Sequence, residues 1–231
     1  MKKFWGFLLV IVLMTSCGEY QSLLKSNDYN LVYKKAIEYY NKGDYQRAMN
    51  LLDGVRSVFV GQAKAQNIAY YRAFCSYNMK DYQIASDLFK QFIQTYPESS
   101  FAEECLYMMG FCDYKASPKP RLDQQVTEKA IREFQLYLSR YPYSMRKDKV
   151  NTYMDEMRDK LSYKAYLSAK NYYLREHYKA AVISLQNCLK DYPGSKYREE
   201  IMYMLFVSSI RWQVLMLPKL FPIWRKCLQR H

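Results

Sequence analysis

Eight tyrosines recur in four pairs: Tyr33 and Tyr40, Tyr70 and Tyr77, Tyr107 and Tyr114, Tyr166 and Tyr173. Each pair brackets a small residue (Ala36, Ala73, Gly110 or Ala169), lying three before it and four after it. Members of a pair are seven residues apart, close to two helical turns, so each pair shares one helix face. Tyrosine joins a broad ring to a hydroxyl tip and orders at low entropic cost. The chemistry this spacing supports is contact: a ladder of aromatic surfaces along a groove, suited to an extended or β-prone polypeptide rich in aromatics. The competing reading is that several of these rings pack between neighbouring helices. Asn41 and Asn78 follow two of the tyrosines and either bond a bound backbone or cap the helix end. Tyr39, Tyr45, Tyr82, Tyr172 and Tyr178 fall at offsets that predict packing within a repeat. No G-x-S-x-G, phosphate-cradling loop, H-E-x-x-H or paired-carboxylate motif occurs, so the chain is read as a binding protein, not an enzyme. His177 and His231 are the only histidines and lie in no metal-ligand cluster. Asp155, Glu156 and Asp159 read as a solvated face.

The elements that would position these tyrosines repeat. The phrase Tyr40…Tyr45…Ala48 recurs as Tyr77…Tyr82…Ala85 and Tyr173…Tyr178…Ala181. Ala85, Ala130 and Ala181 each precede a Tyr-Pro stop by twelve residues, at Pro97, Pro142 and Pro193. A second helix of fixed length is implied in each unit. The pattern resembles the tetratricopeptide repeat, and the fold class expected is all-α, a solenoid of four to five helix pairs over residues 29–213. Unit one covers about residues 29–61 and ends irregularly at Phe59-Val60-Gly61. Unit two covers about 66–98. Unit three, about 101–142, carries an eight-residue insert centred on Ser117-Pro118-Lys119-Pro120. A charged segment, Arg146 to Leu161, keeps helix periodicity through Val150, Met154 and Met157 and extends the first helix of unit four (about 162–194) backwards. Glu199 to Trp212 starts a fifth unit. Residues 214–231 form a basic, atypical tail in which Pro218 and Pro222 should break a helix.

The net charge is +13, or +11 without Lys2 and Lys3. The basic residues are scattered over helix surfaces, which gives no nucleic-acid-reading motif and argues against such a partner. Met1-Lys2-Lys3 followed by an apolar run from Phe4 to Met14 reads as a secretion signal. It is too short for a bilayer core of about 30 Å. Thr15-Ser16-Cys17 closes it and looks like the lipobox of bacterial lipoproteins. That resemblance implies cleavage after residue 16, diacylglycerol on the Cys17 thiol, further acylation, and a lipidated tether over residues 17–28. No other cofactor is expected. Beyond Cys17, the thiols of Cys75, Cys105, Cys112, Cys188 and Cys227 make no C-x-x-C pair. Cys75 and Cys188 read as buried, and Cys105 and Cys112 lie about 10 Å apart along one helix, too far for a disulfide.

The order of these features is more specific than any one. The lipobox and repeats are joined by Gln124-Gln-x-Thr-x-x-Ala-Ile-x-x-Phe-x-x-Tyr-Leu-x-x-Tyr-Pro142. Then comes Met154-Asp-Glu-Met-Arg-Asp-Lys-Leu161, leading to Tyr172-Tyr173 and Tyr178-Lys-Ala-Ala181. Over about residues 17–210 this resembles the BamD family, the lipoprotein subunit of the outer-membrane β-barrel assembly complex. The resemblance implies a periplasm-facing subunit anchored in the outer membrane. Tyr33, Tyr40, Tyr70 and Tyr77 would receive unfolded barrel proteins. Units three to five would dock the barrel-forming insertase subunit. A structural lipoprotein of another envelope or secretion complex is the alternative. A glycan-uptake lipoprotein would need tryptophan platforms, and the chain has only Trp5, Trp212 and Trp224. A lipoprotein hydrolase would need a catalytic set that the chain does not show.

Overall fold

The computed structural model describes residues 19–228, with side chains through residue 216, so the signal segment, Cys17 and the last three residues lie outside the described part. The described residues are helical throughout, with no strand among them. Among the described residues a short helix over 19–24 is followed by nine longer ones: α1 (Tyr29–Asn41), α2 (Tyr45–Val55), α3 (Ala63–Asn78), α4 (Tyr82–Thr95), α5 (Ala102–Ala116), α6 (Gln125–Arg140), α7 (Lys147–Leu174), α8 (Tyr178–Asp191) and α9 (Arg198–Leu228). Within each unit adjacent helices pack in pairs, consistent with a tetratricopeptide-type α-solenoid. The small residues named from the sequence are where close helix crossings need them: Ala36, Ala48, Ala73, Ala85, Ala130, Ala169 and Ala181 are all fully buried. The chain divides into two compact units. The first takes residues up to 117 and 129–144; the second takes 118–128 and everything from residue 145.

The turns within the pairs share one geometry. Gly43, Lys80 and Glu176 all adopt positive φ (81°, 69° and 59°). In each turn the next amide, of Asp44, Asp81 or His177, reaches back five residues to the carbonyl of Tyr39, Ser76 or Tyr172 at 2.9–3.0 Å. This closes the helix end with a left-handed residue, the conformation glycine adopts without strain. Gly43 fits that need, whereas Lys80 and Glu176 do not. Lys80→Gly and Glu176→Gly are each expected to stabilise their unit by about 0.5–1 kcal/mol, read as a rise in the urea midpoint. Gly43→Lys should lower it by a similar amount.

In the first unit the segment expected to be a tether is docked. Residues 19–24 form a helical turn. Leu23 is buried in the core with Val32, Ala36 and Leu52. The Tyr20 ring meets Tyr39 edge-on at 6.0 Å and its hydroxyl accepts from the Asn50 amide at 3.0 Å. Burial of Leu23 and the ring outweighs the freedom of a short linker. Tyr39 and Tyr45 are half-buried and pack against the core of the first unit, as their offsets predict, and Tyr82 and Tyr178 are half-buried, whereas Tyr172, 41 % exposed, corrects its reading as core.

In the second unit the charged segment and helix A of repeat four are one 28-residue helix, α7. Val150, Met154 and Met157 are buried on its inner face, while Asp155, Glu156 and Asp159 are exposed. The insert is not a loose loop. Gln124 is 3 % exposed, and its amide donates to the carbonyls of Lys119 (2.8 Å) and Leu122 (3.1 Å). Lys164 of α7 donates to the Leu122 carbonyl at 2.7 Å. The break expected at Pro218 and Pro222 is absent, and α9 continues to Leu228. Each proline removes one donor, and at a spacing of four both losses fall on one side of the helix, so the remaining ladder carries it through.

Candidate polypeptide-binding groove

The eight tyrosines separate into two sets by position. Of those three residues before the small residue, Tyr33, Tyr70 and Tyr166 reach forward 34 residues to the next repeat. The Tyr33 hydroxyl is hydrogen-bonded to Asn67. Tyr70 donates to Glu104 Oε2 at 2.9 Å. Tyr166 donates to Glu200 Oε2 at 2.7 Å, and Lys170 closes that site with bonds of 2.8 Å to both. These side chains staple neighbouring first helices, one of the two roles their spacing allowed. Tyr107 and Tyr166 are only 7 % and 4 % exposed, so they form walls of the core and not open surface. Tyr166 stacks on Tyr197 at 4.4 Å.

The tyrosines four residues after the small residue stay half-exposed: Tyr40, Tyr77, Tyr114 and Tyr173. Tyr40 meets Tyr71 at 4.9 Å and Tyr45 at 5.5 Å. Tyr77 meets Tyr82 and Phe111, and Phe111 stacks on Tyr114. Asn78 is hydrogen-bonded to the Tyr40 hydroxyl, so of the two asparagines only Asn41 is presented to a groove.

That groove belongs to repeats one and two. It encloses about 530 Å³ between α1 and α3 and the start of α5. Its aromatic and apolar walls are Tyr33, Ile37, Tyr70, Tyr71 and Phe101. Asn41 and Asn67 supply amides, and Lys34 and Glu38 stand at the rim. Tyr70 is the keystone, 4.6 Å from Phe101 and 4.5 Å from Phe74 by ring centroid. Tyr71 and Phe101 were not singled out in the sequence. Tyr71 lies off the seven-residue spacing, and Phe101 precedes α5, where no repeat position marks it.

The groove is electrically quiet. Burial raises the Tyr33 hydroxyl above its ordinary range, against the opposing bond from Asn67. Burial pushes Tyr40 up to about 12. Burial, then the Glu104 carboxylate, raises Tyr70 further. These phenols remain neutral hydrogen-bonding groups across physiological pH. The thiols are equally inert: burial pushes Cys75 and Cys105 up to about 12, and the described cysteines are free and buried. What the arrangement can do is enclose an apolar or aromatic stretch of chain and bond its backbone.

No helix among the described residues is long and apolar enough to cross a membrane. A family profile described as an outer membrane lipoprotein, YfiO, matches residues 25–212. No curated protein matches the chain significantly.

Proposed function

The chain belongs to the YfiO family of outer membrane lipoproteins, and on that footing we propose that it is a non-enzymatic scaffold of outer-membrane β-barrel assembly. Lipid on Cys17 anchors it to the outer membrane, facing the periplasm. The groove of its first two repeats receives aromatic segments of unfolded barrel proteins, and its later repeats dock the barrel-forming insertase subunit. The observation that carries this reading is the groove itself: four aromatic rings, Ile37 and two amides around about 530 Å³. A strand with alternating aromatic residues offers rings to such walls and backbone groups to Asn41 and Asn67.

The test is binding of a labelled peptide that ends in alternating aromatic residues, measured by fluorescence anisotropy on the acylation-free mature chain. Tyr33→Ala combined with Tyr71→Ala should weaken binding at least tenfold, as loss of two aromatic contacts worth about 0.5–1.5 kcal/mol each, plus buried area, implies. Helicity by circular dichroism should be unchanged. Tyr70→Phe keeps the ring and drops the bond to Glu104, so it separates stapling from contact. Unchanged affinity in the double variant would refute the groove. Crosslinking in cells then addresses the partner: a large outer-membrane barrel protein with periplasmic repeat domains is expected, and a secretion complex in its place would move the scaffold to another machine.

A further inference from the structure

The opposite face of α3 lines a second, chemically different pocket. Asn67, Tyr70 and Tyr71 open onto the tyrosine groove, whereas Ala65, Ala69 and Arg72, at helical offsets of four and three, face a cavity of about 410 Å³ within the first unit. The two alanines leave it room. Leu88 and Phe92 of α4 form an apolar wall, and Arg56 and Gln91 stand beside it. No carboxylate lines it, although two arginines do.

Arg72 is only 9 % exposed. Its Nε donates to Asp53 Oδ1 at 2.5 Å, which fixes the plane of the guanidinium from one side. Among the described residues its two terminal nitrogens have no hydrogen-bond partner. Neither terminal nitrogen is sealed from solvent, so both meet water in the pocket, and a ligand that accepts from the pair would displace that water. The free edge carries two parallel N–H groups, a geometry that matches the two oxygens of a carboxylate. Arg56 adds a second positive charge, and Leu88 and Phe92 would cover an alkyl group attached to that carboxylate.

We infer that this pocket is a binding site for a carboxylate carried on a short apolar stem, separate from the tyrosine groove and independent of its function. The stem and anion have two sources, a free aliphatic acid or an acidic side chain next to an apolar residue in a polypeptide. Both present the same chemistry to Arg72 and the Leu88–Phe92 wall.

The experiment uses the mature chain labelled with ¹⁵N at arginine, titrated with hexanoate and, separately, with the peptide acetyl-Leu-Asp-Leu-amide. Saturable shifts of the Arg72 Nε–Hε resonance by hexanoate alone assign a free acid, and shifts by the peptide assign a polypeptide. Hexanamide should shift nothing. Arg72→Lys keeps a charge for Asp53 but loses the fork, and should weaken binding at least tenfold in calorimetry. Arg56→Gln, at an exposed position, should weaken it about threefold without touching the buried pair, and it keeps the test valid if Arg72→Lys unfolds. The inference is overturned if neither probe binds, if hexanamide competes as well as hexanoate, if inorganic phosphate binds tenfold tighter than either, or if both variants bind like the parent.

Discussion

Phe134→Ala should cost about 3–5 kcal/mol, at the upper end of what aromatic truncation in a core does. The ring is fully buried in α6 and lies against Gly110 of α5. A Cβ placed on Gly110 would come within 2.9 Å of the ring's Cδ1. The phenyl group therefore fills the space that the absence of a side chain opens, and once it is removed the facing helix has no side chain there to relax into the void. Phe134 also supports Tyr107, at 6.3 Å, which stacks on Phe111 at 5.7 Å, and Phe111 reaches Tyr77. The loss would spread to the half-exposed aromatic surface of repeats two and three. Gly110→Ala makes the reverse error. It gains close to 1 kcal/mol of helix propensity but overpacks a rigid ring, which typically costs about 1–3 kcal/mol, so a net loss is expected. Combining it with Phe134→Leu gives the added methyl a place to go. Urea unfolding of the two single variants and the double one should show a favourable coupling of about 1 kcal/mol or more. Simple additivity would mean that the two residues do not compete for one space.

The frame of this arrangement was open to reading because the repeat writes it several times. Alanine at each crossing, the twelve-residue run to Tyr-Pro and the periodicity of Val150, Met154 and Met157 all report helix-on-helix packing, and the structure bears them out. The tyrosine ladder was half legible. Spacing showed that each pair shares a face, but one face of a helix in a stacked array meets both a neighbour and solvent. Which of the two wins depends on the residue 34 positions on. Asn67, Glu104 and Glu200 decide it, and they look like ordinary surface residues until the next repeat is stacked in place. Contacts that no periodicity encodes were missed altogether. Tyr20 finds Asn50 thirty residues away, Arg72 finds Asp53 across two helices, and Phe101 enters the groove from a turn. The proline rule failed at Pro218 and Pro222 because it prices one lost bond and not the helix around it.

Stability of the protein should fall as the pH rises from about 5 to 8, and Glu133→Gln should abolish most of that slope. Glu133 sits on α6 at 8 % exposure, and its Oε2 is buried without a hydrogen-bond partner among the described residues. Burial first, then the bond to Asp113 and that residue's charge, push its carboxyl up to about 8, with Lys129 opposing. The groups around it come from three helices: Ser86 and Asp87 on α4, Cys112 and Asp113 on α5, and Lys129 on α6. Asp113 accepts from the Ser86 hydroxyl at 3.0 Å and from Lys129 at 2.9 Å, whereas Lys129 stays 3.7 Å from Glu133. Lys129 thus lies closest to Asp113, and Glu133 holds its proton and donates it towards that carboxylate. In the unfolded chain the same group ionises near 4.3. Between those two values the folded state carries a proton that the unfolded state has lost, so each step up in pH favours unfolding, and below and above the window the effect is flat. A difference on the order of 4 kcal/mol between pH 5 and 9 follows for this group. Glutamine has the shape of the protonated acid and can donate to Asp113 at every pH. Glu133→Gln should therefore exceed the parent by only about 1 kcal/mol near pH 5 and by a few kcal/mol at pH 9, measured by urea unfolding at both values. Asp113→Asn removes the charge that raises Glu133 and should move the transition to lower pH. Parallel pH profiles for the parent and Glu133→Gln would show that Glu133 is ionised in the fold, with Lys129 shared between both acids.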